Sequence, residues 1–156
     1  AAATWPGVVA AGLDTFGVIH IASHAEIHHG TGRRSTLRLV TGEGSRPVTM
    51  TEVARLGLEA ELVFLSSCRS GQPLSAPVAG PDDFTEAFLA AGAHAVIAST
   101  SWADDTAARR LADSFYRHWR AGASRAAALQ QARKDVQRDH PHPSYWAFTR
   151  LVARSD

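Results

Sequence analysis

The sequence contains few of the residues from which several kinds of functional site are built. It has one cysteine, Cys68, which cannot form an internal disulfide and suits a reducing cytoplasm. The formal net charge is +1, so no electrostatic footprint for nucleic acid or an anionic membrane stands out. No apolar run approaches the ~20 residues that a bilayer requires, and nothing resembles a signal peptide. These absences favour a cytoplasmic domain that contacts neither nucleic acid nor membrane directly.

The length of 156 residues and the apolar fraction of 45% are typical of one globular domain with a continuous core. We therefore predict a single domain over residues 1–156. The chain lacks an initiator Met, and its first residues, "AAATWPGVVAAGLDTF", resemble the end of a connecting helix. We expect the C-terminal portion of a larger domain or protein, in which further strands of the sheet lie upstream.

Apolar strand-like segments alternate with helical segments along the chain. Strands are predicted at Gly17–Ser23, Leu37–Val40, Leu62–Ser66, Ala93–Thr100 and Ser144–Val152. Helices are predicted at Thr4–Leu13, Thr49–Leu58, Asp82–Gly92, Asp105–Gly122 and Ser124–Asp139. The first strand is apolar on both sides, as expected of a strand that is covered on both faces. A polar loop is predicted at His24–Ser35 and a turn at "TGEGSRP". The alternation predicts an α/β fold with a mainly parallel sheet and helices on both faces.

Three predicted strands end in residues that can carry chemistry. His24 follows the first of them, Cys68 follows "LVFLS", and Trp102, Asp104 and Asp105 follow "AVIAST". In open α/β sheets, functional groups gather at the carboxyl ends of the strands. If these strands are parallel neighbours, the five side chains converge on one edge of the sheet.

A thiol beside an imidazole is a nucleophile beside a base. An ordinary cysteine thiol has a pKa of about 8.5, and a neighbouring imidazolium favours the reactive thiolate. Backbone N–H groups in "SSCRSG" and after His24 would stabilise an oxyanion. The alternative is that Cys68 has only a structural role, because a lone Cys at a strand end is more often a small buried residue than a nucleophile.

The other histidines have plainer interpretations. His20 stands between two isoleucines and is predicted to be a core residue, and His94 precedes its strand. His28 and His29 are rivals of His24 for the role of base and are otherwise exposed loop residues. The run "HAEIHH" would also suit a metal, although a third ligand at regular spacing is missing. No clear partner is apparent for His118, His140 or His142.

Four runs in order resemble the CHAT domain, a family of caspase-like cysteine peptidases related to separase and gingipain. They are "VIHIASHAE", "LVFLSSCRSG", "FTEAFLAAGAHAVIASTSWADD" and "HPSYWAFTRLV". The family pattern is His-x-x-x-His-Gly/Ala, a strand that ends in Ser-Ala-Cys-x-Thr-Gly, an "AFLAAGA" helix, a strand that ends in Trp-x-x-Asp, and a late Tyr-Trp. The resemblance extends from Thr4 to about Val152 and implies a three-layer αβα caspase-like fold.

By this resemblance His24 is the catalytic histidine and Cys68 is the nucleophile. The small residues of the pattern are Ala25, whose amide would help to hold the oxyanion, and Ser67, while Ser70 replaces a threonine. The resemblance implies a cysteine endopeptidase that acts on protein or peptide substrates, with no cofactor and no metal. Such domains often accompany tetratricopeptide repeats in bacteria, so a regulatory domain or partner chain of that kind is expected.

In caspase-like enzymes the loop after the next strand lines the pocket for the residue that precedes the cut. Here that loop is "TSWADD", so Trp102 would form a wall and Asp104 or Asp105 the floor. A carboxylate there favours Arg or Lys in the substrate. Either aspartate can instead cap the following helix.

The sequence also departs from the family pattern. The Pro that usually follows the loop Trp is absent, and "GQPLSAPVAGPDD" lacks the usual Gly-Glu-Gly run. These departures motivate a second hypothesis, a catalytically silent caspase-like scaffold or interaction module.

Overall fold

The computed structural model describes residues 7, 12–27, 35–41, 44–71 and 83–154. Within these ranges the strands are β1 (Val18–Ala22), β2 (His24–Glu26), β3 (Thr36–Thr41), β4 (Gly44–Thr49), β5 (Leu62–Ser66), β6 (Ala95–Ser99) and β7 (Thr149–Ala153). The α-helices are α1 (Met50–Ala54), α2 (Phe84–Ala90), α3 (Asp105–Arg120) and α4 (Arg125–Asp139). Short 3-10 helices lie at Leu13–Thr15 and Pro143–Tyr145.

Four strands form the central sheet in the order β1-β5-β6-β7. The first three run parallel to one another, and β7 lies antiparallel to β6. Parallel neighbours need crossover connections, and α2 lies in the crossover from β5 to β6. The prediction of an α/β fold with a mainly parallel sheet is confirmed.

The sheet lies between two layers of helices. Successive side chains of a strand point to opposite faces, and β5 distributes its apolar residues in this way. Val63 and Leu65 belong to the same core cluster as Phe88 of α2. Phe64 belongs to the opposite cluster, together with Phe115 of α3. The molecule is therefore a three-layer αβα structure, as the caspase-like resemblance implies.

The first strand differs from its prediction. Strand β1 alternates between exposed and half-buried residues, and Val18 exposes 42% of its surface. The apolar sequence of β1 predicted cover on both faces, whereas β5 is almost fully buried. Among the described strands β1 lies at an edge of the sheet, whereas β5 has a neighbour on each side.

The polar segments 24–35 and 41–47 were predicted to be a loop and a turn, and this prediction is wrong where β2 and β4 form; residues 28–34 lie outside the described residues. The strand predicted at Leu37–Val40 is confirmed as part of β3. These strands form a second, antiparallel sheet in the order β2-β3-β4. His24 pairs with Arg38 and Ala25 pairs with Leu37, and Pro47 is accommodated because β4 is an edge strand of that sheet. Leu37 and Val48 are buried, so the small sheet contributes one apolar face to the core.

Side chains fix the starts of the helices. Thr49 and Glu52 form a capping box at α1, in which each side chain bonds the other residue's backbone N–H. Asp83 caps α2 and Ser124 caps α4. The helix predicted at Thr4–Leu13 lies largely outside the described residues. No helix in the described ranges is long and apolar enough to span a bilayer.

Candidate active site

The register of β1 and β5 relates the two candidate catalytic residues. Ala22 is paired with Ser66 at the carboxyl end of this parallel pair. His24 and Cys68 each lie two residues further along their chains. Both therefore leave the central sheet from neighbouring strands at the same edge, and the sequence-based prediction of a shared edge is consistent with the register. The His24 residue is exposed and Cys68 is half-buried.

Cys68 stands at the start of a tight turn that follows β5. Arg69 has a φ of 60°, in the left-handed region that side-chain-bearing residues seldom adopt. Its backbone N–H donates to the Ser101 carbonyl at 3.3 Å, and the N–H of Gly71 donates to the Ser99 carbonyl at 2.8 Å. These bonds join the turn to the end of β6 and hold an unfavourable conformation next to the thiol. Within the described residues the N–H of Cys68 donates no hydrogen bond.

The turn has no spare space beneath it. A Cβ atom added to Gly71 would lie 2.9 Å from the Cβ of Ala98 and 3.1 Å from the hydroxyl of Thr85. The same Cβ would lie 3.3 Å from Nε of Arg150. The guanidinium of Arg150 forms an ion pair with Asp83, whose side chain is 2% exposed. A partly buried ion pair thus lies next to the turn that carries the cysteine.

His24 begins a strand instead of lying in a loop. It faces Arg38 across the β2–β3 pair, and the preceding Ser23 donates its hydroxyl proton to the Arg38 carbonyl. Arg38 also donates from Nε to Glu26 at 2.7 Å. Ala25 is half-buried opposite Leu37. The backbone of the candidate base is therefore fixed by strand pairing.

A groove of about 330 Å³ runs from the ends of β1 and β5 to the first half of α3. Its apolar lining residues are Ala22, Ala108 and Ala112, and Ser66 and His20 also line it. Its charged residues are Asp105, Arg109 and Asp113. Two carboxylates against one guanidinium give the groove a net negative charge.

The loop residues predicted to line a substrate pocket have separate locations. Asp104 caps α3, because its carboxylate accepts a hydrogen bond from the Ala107 N–H at 2.9 Å. Asp105 lines the groove, whereas Trp102 exposes 72% of its surface and is not among the groove residues. The sequence missed Asp113, although its spacing of eight residues from Asp105 places it on the same helix face.

His20 is not the core residue that was predicted. Its Nε2 lies 2.9 Å from Oγ of Ser66, and its Nδ1 lies 3.2 Å from the hydroxyl of Tyr116. The ring stacks on Phe64 with centroids 4.9 Å apart. Burial lowers the pKa of His20, and the nearby carboxylate of Asp113 opposes part of that effect. Because His20 is 46 residues from Ser66 and 96 residues from Tyr116 in the sequence, the sequence gave no indication of these two hydrogen bonds.

Two further histidines have partners that the sequence did not reveal. His118 bonds the carboxylate of Asp135 at 2.8 Å, and His140 stacks on Tyr145 with centroids 4.9 Å apart. The metal hypothesis depends on residues 28 and 29, which lie outside the described residues. In the described part of the chain, no three His, Cys, Asp or Glu side chains group together as metal ligands.

Ser67 stands immediately before the cysteine with a buried side chain that is 1% exposed. Its hydroxyl finds no hydrogen-bond partner among the described residues. The side chain therefore points into the protein, away from solvent. Any contribution of Ser67 to an oxyanion site would have to come from its backbone.

The family model of the CHAT domain matches residues 2–153. Because the match covers almost the whole sequence, the chain belongs to the CHAT domain family. The family is caspase-like and related to cysteine peptidases, which agrees with the three-layer αβα structure described above. No curated protein matches the chain significantly.

Proposed function

We propose that the chain is a cysteine endopeptidase that hydrolyses peptide bonds in protein substrates. The proposal rests mainly on the parallel register of β1 and β5, which gives His24 and Cys68 equivalent positions beyond two paired strand ends. Family membership supports it, since the matched family is related to cysteine peptidases.

The reaction divides one difficult hydrolysis into two steps. The sulfur of Cys68 attacks the peptide carbonyl, and its proton passes to the imidazole of His24. The C–N bond then breaks as His24 gives that proton to the leaving amine, which leaves a thioester on Cys68. Water attacks the thioester through the same imidazole, the acid product departs and the thiol is restored.

The tetrahedral intermediate needs donors for its oxyanion. The N–H of Cys68 suits this purpose, because it donates no hydrogen bond within the described residues. The backbone N–H groups of Ala25 and Ser67 are the other proposed donors. Neither metal nor organic cofactor is required by these steps.

We further propose that the groove selects an Arg or Lys side chain before the scissile bond. The alanines would contact the aliphatic part of such a side chain, and Asp105 would pair with its charged end. Asp113 would assist, since among the described residues its one ion pair is with Arg109, at 3.9 Å. Asp104 is left out of the pocket because its carboxylate caps α3.

Peptide hydrolysis in single variants tests the proposal. Cys68→Ala is expected to lower cleavage of an Arg or Lys peptide by about a thousandfold or more, and His24→Ala by about a hundredfold or more. The matched control is His94→Ala, an exposed histidine at the opposite end of the parallel strands, before β6. Full activity in Cys68→Ala would reject Cys68 as the nucleophile, whereas wild-type protein that cleaves none of the peptides would favour the silent scaffold.

A further inference from the structure

Three side chains from three elements form a continuous hydrogen-bonded chain. Tyr116 of α3 contacts Nδ1 of His20 in β1, and Nε2 of that ring contacts Ser66 at the end of β5. The His20 ring is held between aromatic neighbours, with centroids 4.9 Å from Phe64 and 5.6 Å from Tyr116. Both ring nitrogens are occupied, so the orientation of the imidazole is fixed.

The protonation states suit this arrangement near neutral pH. Burial raises the pKa of Tyr116 to about 12, so the phenol keeps its proton. Burial also lowers the pKa of His20, which favours the neutral ring. A neutral imidazole has one N–H donor and one acceptor nitrogen, and each is matched by one hydroxyl.

These hydrogen bonds lie close in sequence to the candidate catalytic residues on both strands. Ser66 precedes Cys68 by two residues, and His20 precedes His24 by four. Because β1 is an edge strand among the described strands, only β5 pairs with its backbone. The His20–Ser66 bond adds a side-chain connection between the two strands close to where they end.

We propose that His20 is a positioning residue of the peptidase, held by Tyr116 and acting through Ser66. It keeps the end of β5, from which Cys68 follows, aligned with the end of β1, from which His24 follows. This inference rests on the proposed function. The proposed role is exerted through Ser66, although the His20 ring also lines the groove.

Steady-state kinetics of two conservative variants test this role. Tyr116→Phe removes one hydroxyl outside the groove, and Ser66→Ala removes one inside it. Each is expected to lower kcat about three- to tenfold, and KM should stay constant in Tyr116→Phe. Because the residues act in series, the double variant should lose no more than Ser66→Ala alone. Ser66→Thr retains the hydroxyl and should recover kcat.

A matched control separates positioning from general stability. Ser114→Ala removes a 2.6 Å hydrogen bond to Asp135 from the same helix, on the side that faces α4. It should lower the thermal midpoint and leave kcat at the wild-type value. Unchanged kcat in Tyr116→Phe, or losses that multiply in the double variant, would overturn the inference.

Alkylation of the single cysteine by iodoacetamide distinguishes this inference from the proposed function. Tyr116→Phe should slow alkylation in the wild-type background by about the same factor as kcat, and should have no effect when His24 is already Ala. If His24→Ala slows alkylation and Tyr116→Phe does not, the positioning role is wrong and the proposed function stands. If His24→Ala alkylates at the wild-type rate, the proposed function fails, and the inference that rests on it fails as well.

Discussion

Ala22 and Ser66 are direct partners in the parallel β1–β5 pair, and two residues beyond each of them stand His24 and Cys68. Neighbouring strands lie about 4.8 Å apart, so equivalent positions beyond paired strand ends begin close together. The polar turn after β5 and the short strand β2 then take the two chains in separate directions. The pairing of β1 with β5 therefore makes His24 and Cys68, which are far apart in the sequence, a candidate catalytic dyad.

The adjacent aspartates Asp104 and Asp105 should respond differently to substitution. Asp105→Asn is expected to lower kcat/KM for Arg and Lys peptides about tenfold and to leave the thermal midpoint unchanged, because it removes a charge from the groove. Asp104→Ala should destabilise the protein by about 1 kcal/mol through loss of the cap, with little change in specificity. Kinetics with basic and neutral peptides, together with thermal unfolding, measure both. The pocket assignment is wrong if Asp105→Asn cleaves basic peptides as well as wild type does.

Gly71→Ala should damage the turn that carries Cys68. The new methyl group would lie 2.9 Å from the Cβ of Ala98, so the turn or β6 must shift. We expect kcat to fall about tenfold or more, since small displacements of a nucleophile are costly. Gly57→Ala is the matched control, because an added Cβ there has no neighbour within 4 Å. Equal activity in the two variants would show that the space beneath Gly71 is unimportant.

Removing the cation beside Asp83 should give a defect that depends on pH. Burial raises the pKa of Asp83, although Arg150 and nearby hydrogen bonds lower it in part. Arg150→Met leaves a buried carboxylate without its cation and should cost about 3 kcal/mol at neutral pH. Because the folded state then favours the protonated acid, the deficit should shrink as pH falls through the raised pKa. Chemical denaturation at several pH values measures the trend, and a deficit independent of pH would contradict it.

The stabilising contribution of Asp135 should be lost, not gained, as the pH falls. A hydrogen bond from Ser114 and another from His118 are the main causes that lower its pKa to about 2. Its contribution is complete above the unfolded-state pKa of about 3.9 and is lost as pH falls toward about 2. Asp135→Asn should reduce the stability that is lost between about pH 4 and about pH 2 by about 1–2 kcal/mol. Identical acid-unfolding curves for wild type and Asp135→Asn would refute the assignment.

Much of the central fold follows from local sequence. Strand β5 has four consecutive buried apolar residues, and α3 and α4 begin at the capping residues Asp104 and Ser124. Strands β2 and β4 of the small sheet were missed because their sequences are largely polar, whereas β3 was predicted from its apolar residues. Pairing of His24 with Arg38, not propensity, makes β2 a strand.

The candidate site is only partly predictable for a related reason. His24 and Cys68 stand at strand ends, a position that a sequence reveals once the strands are recognised. The hydrogen bonds that link Tyr116, His20 and Ser66 join residues that only the tertiary fold brings together. The separate roles of Asp104 and Asp105 likewise depend on which carboxylate faces the helix end.

The central claim is that His24 activates Cys68, and the rate of iodoacetamide alkylation measures this directly because the chain has a single cysteine. Wild type should react about tenfold or more faster than His24→Ala, because the imidazole activates the thiol. The same rate in both proteins would contradict the account.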